Sequence, residues 1–252
     1  MEDFYFILDS DIHFGENNDI IGIRNDKKNN VENIIKDIDS NENIKCVIVA
    51  GDLTNHGWDA KQLLCWQNGS INECASLIEN YIKPIEKKVP LYLCAGNHDT
   101  FVNGFFYLHK PIFNLIKSRH KSLRYSFDIN NVHFICCHIY PDDDCLKWLK
   151  NDLQKHINKE IVIFFHYNLK DEYSDWWSEP HNELQSNIQK EKFYNVIQNY
   201  KVIAILCGHY HKSYTYAWKE IPIISCGGPG YGLCHYIRDN GIGKIMVEFK
   251  KN

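Results

Sequence analysis

The sequence predicts an α/β fold in which two packed sheets are flanked by helices, and three observations predict it. Short apolar runs alternate with stretches of helical spacing through the first half of the chain, the pattern of parallel strand–helix–strand units. Two strand-like segments joined by Asn130-Asn131, with further strand-like segments near the C-terminus, call for antiparallel pairing as well. Five apolar runs end in Asp, Asn or His, which an open α/β sheet collects at its carboxyl edge.

Residues 4–8 are aromatic and aliphatic, a strand that runs into Asp9-Ser10-Asp11-Ile12-His13. The polar, Asn-rich residues 16–30 read as a loop, and Val31, Ile34, Ile35 and Ile38 have helical spacing. Residues 46–50 form a second buried strand, followed by Gly51-Asp52-Leu53-Thr54-Asn55-His56-Gly57. Residues 63–85 are mostly helical in pattern, with Pro84 at an end or a kink. Residues 91–95 are the third strand, and Gly96 lets the backbone turn before Asn97, His98 and Asp99. An aromatic-rich stretch, 101–121, reads as loop then helix, and Phe105, Phe106 and Tyr107 as core.

Residues 124–129 and 132–139 are the two hairpin strands. Leu146, Leu149, Leu153 and Ile157 lie on one face of a helix. Residues 161–165 form a strand that ends at His166, and a polar and aromatic loop, 171–181, follows. A helix over 184–200 leads to a strand at 202–207, then Gly208-His209-Tyr210-His211. Strands at 221–225 and 244–249 surround a glycine-rich turn at 227–232. No repeat or Pro/Ser-rich linker divides the chain, so a single domain over 1–252 is expected.

Hydrophobic residues make up 44% and charged residues 24%, ordinary for a globular protein with a full core. A net charge of -4 argues against a stable nucleic-acid partner, which needs a basic face. A small phosphorylated substrate stays open, because bound metal ions would supply local positive charge. The 10 cysteines contain no CxxC pair, and several sit inside apolar runs, as reduced buried thiols do. The first residues lack the basic and apolar regions of a signal peptide, and no run is long enough to span a bilayer. A cytoplasmic protein without a membrane partner is expected. The sequence does not address oligomeric state.

Asp11, His13, Asp52, Asn97, His166, His209 and His211 are the candidate metal ligands. Each alone has a plain alternative: a His after a strand is commonly a core or surface histidine, and Asp52 after a glycine can cap a turn. Together they exceed the four ligands of a tetrahedral structural zinc, and none is a thiolate. Such nitrogen and oxygen donors suit two adjacent divalent transition ions bridged by one carboxylate, and disfavour calcium and magnesium. They do not separate Mn, Fe, Zn, Co and Ni.

The ordered motifs D-x-H at 11–13, G-D-x-x-N at 51–55, G-N-H-D at 96–99, the lone His166, and G-H-x-H at 208–211 resemble the calcineurin-like metallophosphoesterase superfamily. The resemblance implies a four-layer α/β/β/α sandwich with a dimetal site at one edge. It implies Asp11, His13, Asp52 and His211 on one ion and Asp52, Asn97, His166 and His209 on the other, with Asp52 bridging. His98 matches the catalytic histidine and Asp99 is expected to orient it. The implied chemistry is in-line attack on phosphorus by a hydroxide held between the ions, with His98 as acid or transition-state stabiliser.

The D-R-G and G-N-H-E of protein phosphatases in this superfamily are replaced here by GDLTNHG and GNHD, so the chain looks more like its small phosphodiesterase and bacterial-type phosphohydrolase branches. Phosphodiester hydrolysis, including nucleotide-type diesters, is the leading expectation. A phosphomonoesterase on a small metabolite or nucleotide, and a silent protein-binding scaffold, are the alternatives; no ligand is lost, which disfavours the scaffold. His56, Tyr140, Tyr167, Trp176, Trp177 and Tyr210 are the expected substrate contacts, with Asp9 also near the motif loops. Either tryptophan would stack on a flat group or pack its loop onto the domain.

Overall fold

The computed structural model describes residues 2–14, 25–55, 73–100, 111–170, 173–178, 180–228 and 230–251, and among these described residues eleven strands and six α-helices follow one another. The first half gives β1 (Phe4–Asp9), α1 (Asn25–Ser40), β2 (Ile44–Ala50), α2 (Glu73–Leu77), α3 (Lys83–Glu86) and β3 (Leu91–Cys94). The middle gives α4 (Pro111–His120), β4 (Tyr125–Ile129), β5 (Val132–Cys136), α5 (Asp143–Lys155), β6 (Glu160–Phe164) and α6 (Glu183–Ile197). The last part gives β7 (Val202–Cys207), β8 (Tyr214–Trp218), β9 (Ile221–Ser225), β10 (Tyr231–Asp239) and β11 (Ile242–Lys250).

The apolar runs pair as the alternation predicts. β1, β2 and β3 are parallel neighbours, and β10 and β11 add antiparallel on the other side of β1, giving the order β11-β10-β1-β2-β3. The second sheet is β4-β5-β6-β7-β9-β8, parallel from β5 to β9 with an antiparallel strand at each edge. The sheets pack face to face through Phe4, Phe6, Phe134, Phe164 and Leu206. Ile34, Ile38, Tyr81 and Ile85 cover the outer face of the first sheet. Leu149 and Leu153 of α5, with Phe193 and Ile197 of α6, cover the second. The result is a four-layer α/β/β/α sandwich of two mixed sheets.

Several local readings change. Residues 63–72, the start of the expected helix before Pro84, lie outside the described residues, as do Phe105–Tyr107 and His56. Pro84 falls in the first turn of α3, straight after a π-helical segment, Ile78–Ile82. A proline has no N–H for the helix ladder, so the chain changes helical register there rather than ending. The strand expected to reach residue 139 stops at Cys136, because His138 takes φ 65, outside any strand conformation. Asp142 caps α5 by accepting from the Cys145 N–H at 2.6 Å. Neither β8 nor β10 was anticipated. The described cysteines are all free thiols, and burial pushes those of Cys46 and Cys234 up. No described helix is long and apolar enough to cross a membrane.

Candidate metal centre and active site

The loops that leave β1 and β2 stay paired beyond the strands. The N–H groups of Asp11, His13 and Phe14 donate to the carbonyls of Gly51, Asp52 and Leu53 at 3.0, 3.0 and 3.1 Å. In the second sheet the Gly208 N–H donates to the His166 carbonyl at 3.0 Å, and the His166 N–H to Ile139. The His209 N–H crosses between sheets to both Asp11 carboxylate oxygens at 3.1 Å. Seven side chains from five segments are thereby delivered to one edge.

Two groups result, and Asp52 belongs to both. Asp11, His13, Asp52 and His211 form one, and Asp52, His166 and His209 the other, with ligand atoms within 4.8 Å of one another in each. The Nε2 atoms of His13 and His211 face each other at 3.0 Å, and His211 Nε2 is 3.3 Å from Asp11 Oδ1. Asp52 Oδ2 lies 3.2 Å from His166 Nε2 and 3.6 Å from His13 Nε2. Asn97 Oδ1 lies 3.0 Å from His166 Nε2, which places it with the second group.

These side chains fit a divalent ion on three observations. Asp52 Oδ2 and His209 Nε2 are buried and have no hydrogen-bond partner among the described residues. An orphaned buried polar atom costs roughly 1–3 kcal/mol, so a structure keeps one where something else satisfies it. Asp11, His13, Asp52, His209 and His211 all have positive φ, between 48 and 74°. Such backbone costs about 1–3 kcal/mol per residue for a side chain other than glycine, and it concentrates at functional sites. The glycines before Asp52 and Asn97 are required by contact, and Gly51 by conformation as well. A Cβ on Gly51, at φ 96, would meet the His166 side chain at 2.5–2.8 Å, and one on Gly96 would strike the Asp52 carboxylate and backbone nitrogen.

Electrostatics divide the histidines. Burial alone lowers the His166 imidazole, but the Asp52 carboxylate outweighs it and holds the group up at about 9. Burial, reinforced by the cationic His166, drives His209 down to about 3, so its ring is neutral and offers a lone pair. Burial pushes Asp52 up, yet His166 and His13 more than offset it and keep the carboxylate ionised. Burial raises Asp11, and the neighbouring Asp52 charge adds to that.

The sequence profile of the calcineurin-like phosphoesterase family matches residues 5–213, which takes in every one of these ligands. The chain is a calcineurin-like phosphoesterase. It is 22% identical over 224 residues to a probable glycerophosphodiester phosphodiesterase from Arcobacter nitrofigilis, covering 80% of this chain and 69% of that protein. It is 28% identical over 218 residues to a probable cyclic nucleotide phosphodiesterase from Vesicomyosocius okutanii, covering 86% and 82%. Among solved structures, a purple acid phosphatase from yellow lupin seeds superposes with a TM-score of 0.65 at 15% identity. That match covers 99% of this chain and 52% of the lupin chain, and it concerns the fold.

The remaining site residues of this phosphoesterase sort by distance from the metal groups. The His98 ring stands edge-on to His13 at 4.6 Å, and its backbone N–H donates to Asp52 Oδ1 at 2.9 Å. Its Nδ1 meets the Asn55 carbonyl at 2.9 Å. Asp99 takes a different part from the expected one. Its carboxylate accepts from the backbone of Leu53, Thr54 and Gly96 and from the Thr54 hydroxyl, at 2.8–3.1 Å. Asp99 therefore ties the Asp52 loop to the His98 loop, and the Asn55 carbonyl meets Nδ1 of the His98 ring. A backbone carbonyl leaves no signal in side-chain motifs, which is why Asn55 was missed.

Of the expected substrate contacts, Tyr167 and Trp176 stand beside His209, at 4.7 and 4.8 Å between ring centres. Trp177 does not. It is buried at 1% exposure between Phe165 and Phe193, and its Nε1 donates to the Asn168 carbonyl, so it is core. Tyr140 stacks on Tyr167 at 5.6 Å, one layer back. Tyr210 lies at the rim under the Lys212 ammonium, 4.3 Å from its ring. Asp9 is structural: it is buried and accepts from Tyr81, Asn30 and the Ser10 N–H. Tyr173 was missed, although it lies in the aromatic loop after His166; its ring is 5.3 Å from His209.

Proposed function

We propose that this phosphoesterase is a two-metal phosphodiesterase whose substrates include nucleotide-type diesters. The observation that carries the reading is the pair of ligand groups that share the buried, unsatisfied Asp52 Oδ2. Asp11, His13 and His211 would hold one ion with Asp52, and Asn97, His166 and His209 the other. When bound, the ions supply Lewis-acid activation of water and neutralise charge on the phosphoryl oxygens.

The protein's own groups do the rest. The Asp52 carboxylate, kept ionised by His166 and His13, carries the negative charge that draws cations to the centre. Buried and cross-linked loops hold the ligands in place, so little reorganisation is needed during the reaction. The Asn55 carbonyl accepts from Nδ1–H of His98 and so fixes the tautomer. That leaves Nε2 to bear the second proton in the imidazolium and pass it to the leaving oxygen. The diester preference draws support from the names of the relatives and from the absence of the D-R-G arginine after Asp52.

The test is hydrolysis of bis-p-nitrophenyl phosphate beside p-nitrophenyl phosphate, with Mn²⁺ added and with a chelator. Chelator-sensitive turnover that favours the diester is expected. Preference for the monoester would move the assignment to a phosphomonoesterase, and absence of both would overturn it.

A further inference from the structure

We infer that Tyr173 determines specificity by offering its exposed ring as a stacking platform for a planar aromatic ester group on the substrate. The inference rests on the phosphodiesterase reading and adds to it the chemical class of the group beside the scissile bond.

Exposure and position carry it. Among the described residues, Tyr173 is the aromatic member of the most exposed large apolar side chains, at 43%, whereas the others are aliphatic. Its ring lies 5.3 Å from that of His209, a ligand of the second group. A phosphoryl group engaged by that group is thus within one small substituent of the tyrosine. Burial accounts for only part of the placement, since the 43% left in water gains nothing from it.

The ring is also braced. Trp176 meets it near-perpendicular at 5.6 Å and is itself stacked on His181 at 4.4 Å and 9°. Both residues flank or belong to one short 3₁₀ turn, Ser174–Trp176, which fixes their spacing. Tyr167 closes the inner side, edge-on to Trp176 at 5.8 Å. These rings contact one another edge to face, so the face left for a ligand is the outward one. Tyr210, 6.2 Å from Tyr173, continues that face towards the exposed His211. An exposed aromatic face discriminates planar π-systems from saturated groups of similar size, because offset stacking adds to simple area burial.

Benzylphosphonate and cyclohexylmethylphosphonate test this directly. They share a phosphonate that cannot be hydrolysed and differ in the planarity of the ring. Calorimetric titration of the protein in Mn²⁺ should give benzylphosphonate a Kd at least about fivefold lower, the lower end of what one stacked base contributes. Tyr173→Ala should erase that preference and Tyr173→Phe should keep it. In turnover of bis-p-nitrophenyl phosphate, Tyr173→Ala should raise KM and leave kcat within about twofold. Equal binding of the two phosphonates by the wild type, binding of neither, or a preference that survives Tyr173→Ala would overturn the inference. Failure of the underlying reading looks different: chelator-sensitive diester turnover would be missing, whereas the phosphonate comparison is read at equilibrium without turnover.

Discussion

Replacing Asp52 by Asn is the sharpest test of the shared-ligand arrangement, because the substitution keeps shape and removes charge. In the wild type, Oδ1 accepts the His98 N–H at 2.9 Å, and an Asn carbonyl oxygen can do the same. Among the described residues Oδ2 has no hydrogen-bond partner, and it stands between His166 and His13 at 3.2 and 3.6 Å. The fold should therefore survive while the bridging position loses its anionic ligand. An ion present at about 100 times its Kd stabilises the folded chain by about 2.7 kcal/mol. For a chain of this size each kcal/mol raises Tm by roughly 2–4 °C. Two ions should then raise the wild-type Tm by roughly 10–20 °C over the chelated protein, by the same constants. His211→Ala, which removes a ligand of one group, should keep about half of that rise. Asp52→Asn should keep almost none of it, bind fewer than one ion per chain and lose turnover. Melting curves with and without Mn²⁺, read beside metal content by mass spectrometry, decide the matter. If Asp52→Asn matched His211→Ala, with one ion gone and the other held as tightly as in the wild type, Asp52 would not be shared.

His98→Ala should keep wild-type metal content and the full Mn²⁺-dependent rise in Tm, yet lose about 10²–10⁴ of kcat, the usual worth of a general acid; an active variant would remove His98 from the mechanism. Gly96→Ala drives a methyl into the Asp52 carboxylate and backbone nitrogen, so metal content should fall and the chelated protein should also melt below the wild type, overpacking of this kind costing roughly 1–3 kcal/mol. Metal affinity should weaken as pH falls through about 9, since bound ions require neutral His166, and weaken more steeply at acid pH where Asp11, raised by burial, also takes up a proton. Titration with Mn²⁺ at pH 6 and pH 9 checks the sign, and tighter binding at pH 6 would contradict it.

The candidate ligand set was legible because it is local. Each candidate ligand follows a buried strand, so an apolar run that ends in Gly or Asp, or at Phe165 directly in the histidine, marks its own exit point, and parallel pairing within each sheet brings those exits to one edge. What was illegible depends on partners distant in sequence. β10 carries Gly232, His235, Arg238 and Asp239, which read as turn and loop, but it lies between β1 and β11 and is held there by both ladders. β8 alternates half-buried and exposed positions at a sheet edge, where the hydrophobic signal is weakest. Trp176 and Trp177 are neighbours in the sequence with equal claims on a ligand. Only the packing of Phe165, Phe193 and Asn168 around Trp177 separates the core ring from the one at the site. The same holds for Asp99. A carboxylate next to a candidate catalytic histidine invites the reading that one orients the other, yet its four donors come from the loops on either side. What Asp99 positions is therefore the loop that carries Asp52. Sequence motifs name the candidate ligand atoms; the groups that hold those atoms still come from backbone and from rings elsewhere in the chain, and the packed structure assigns them.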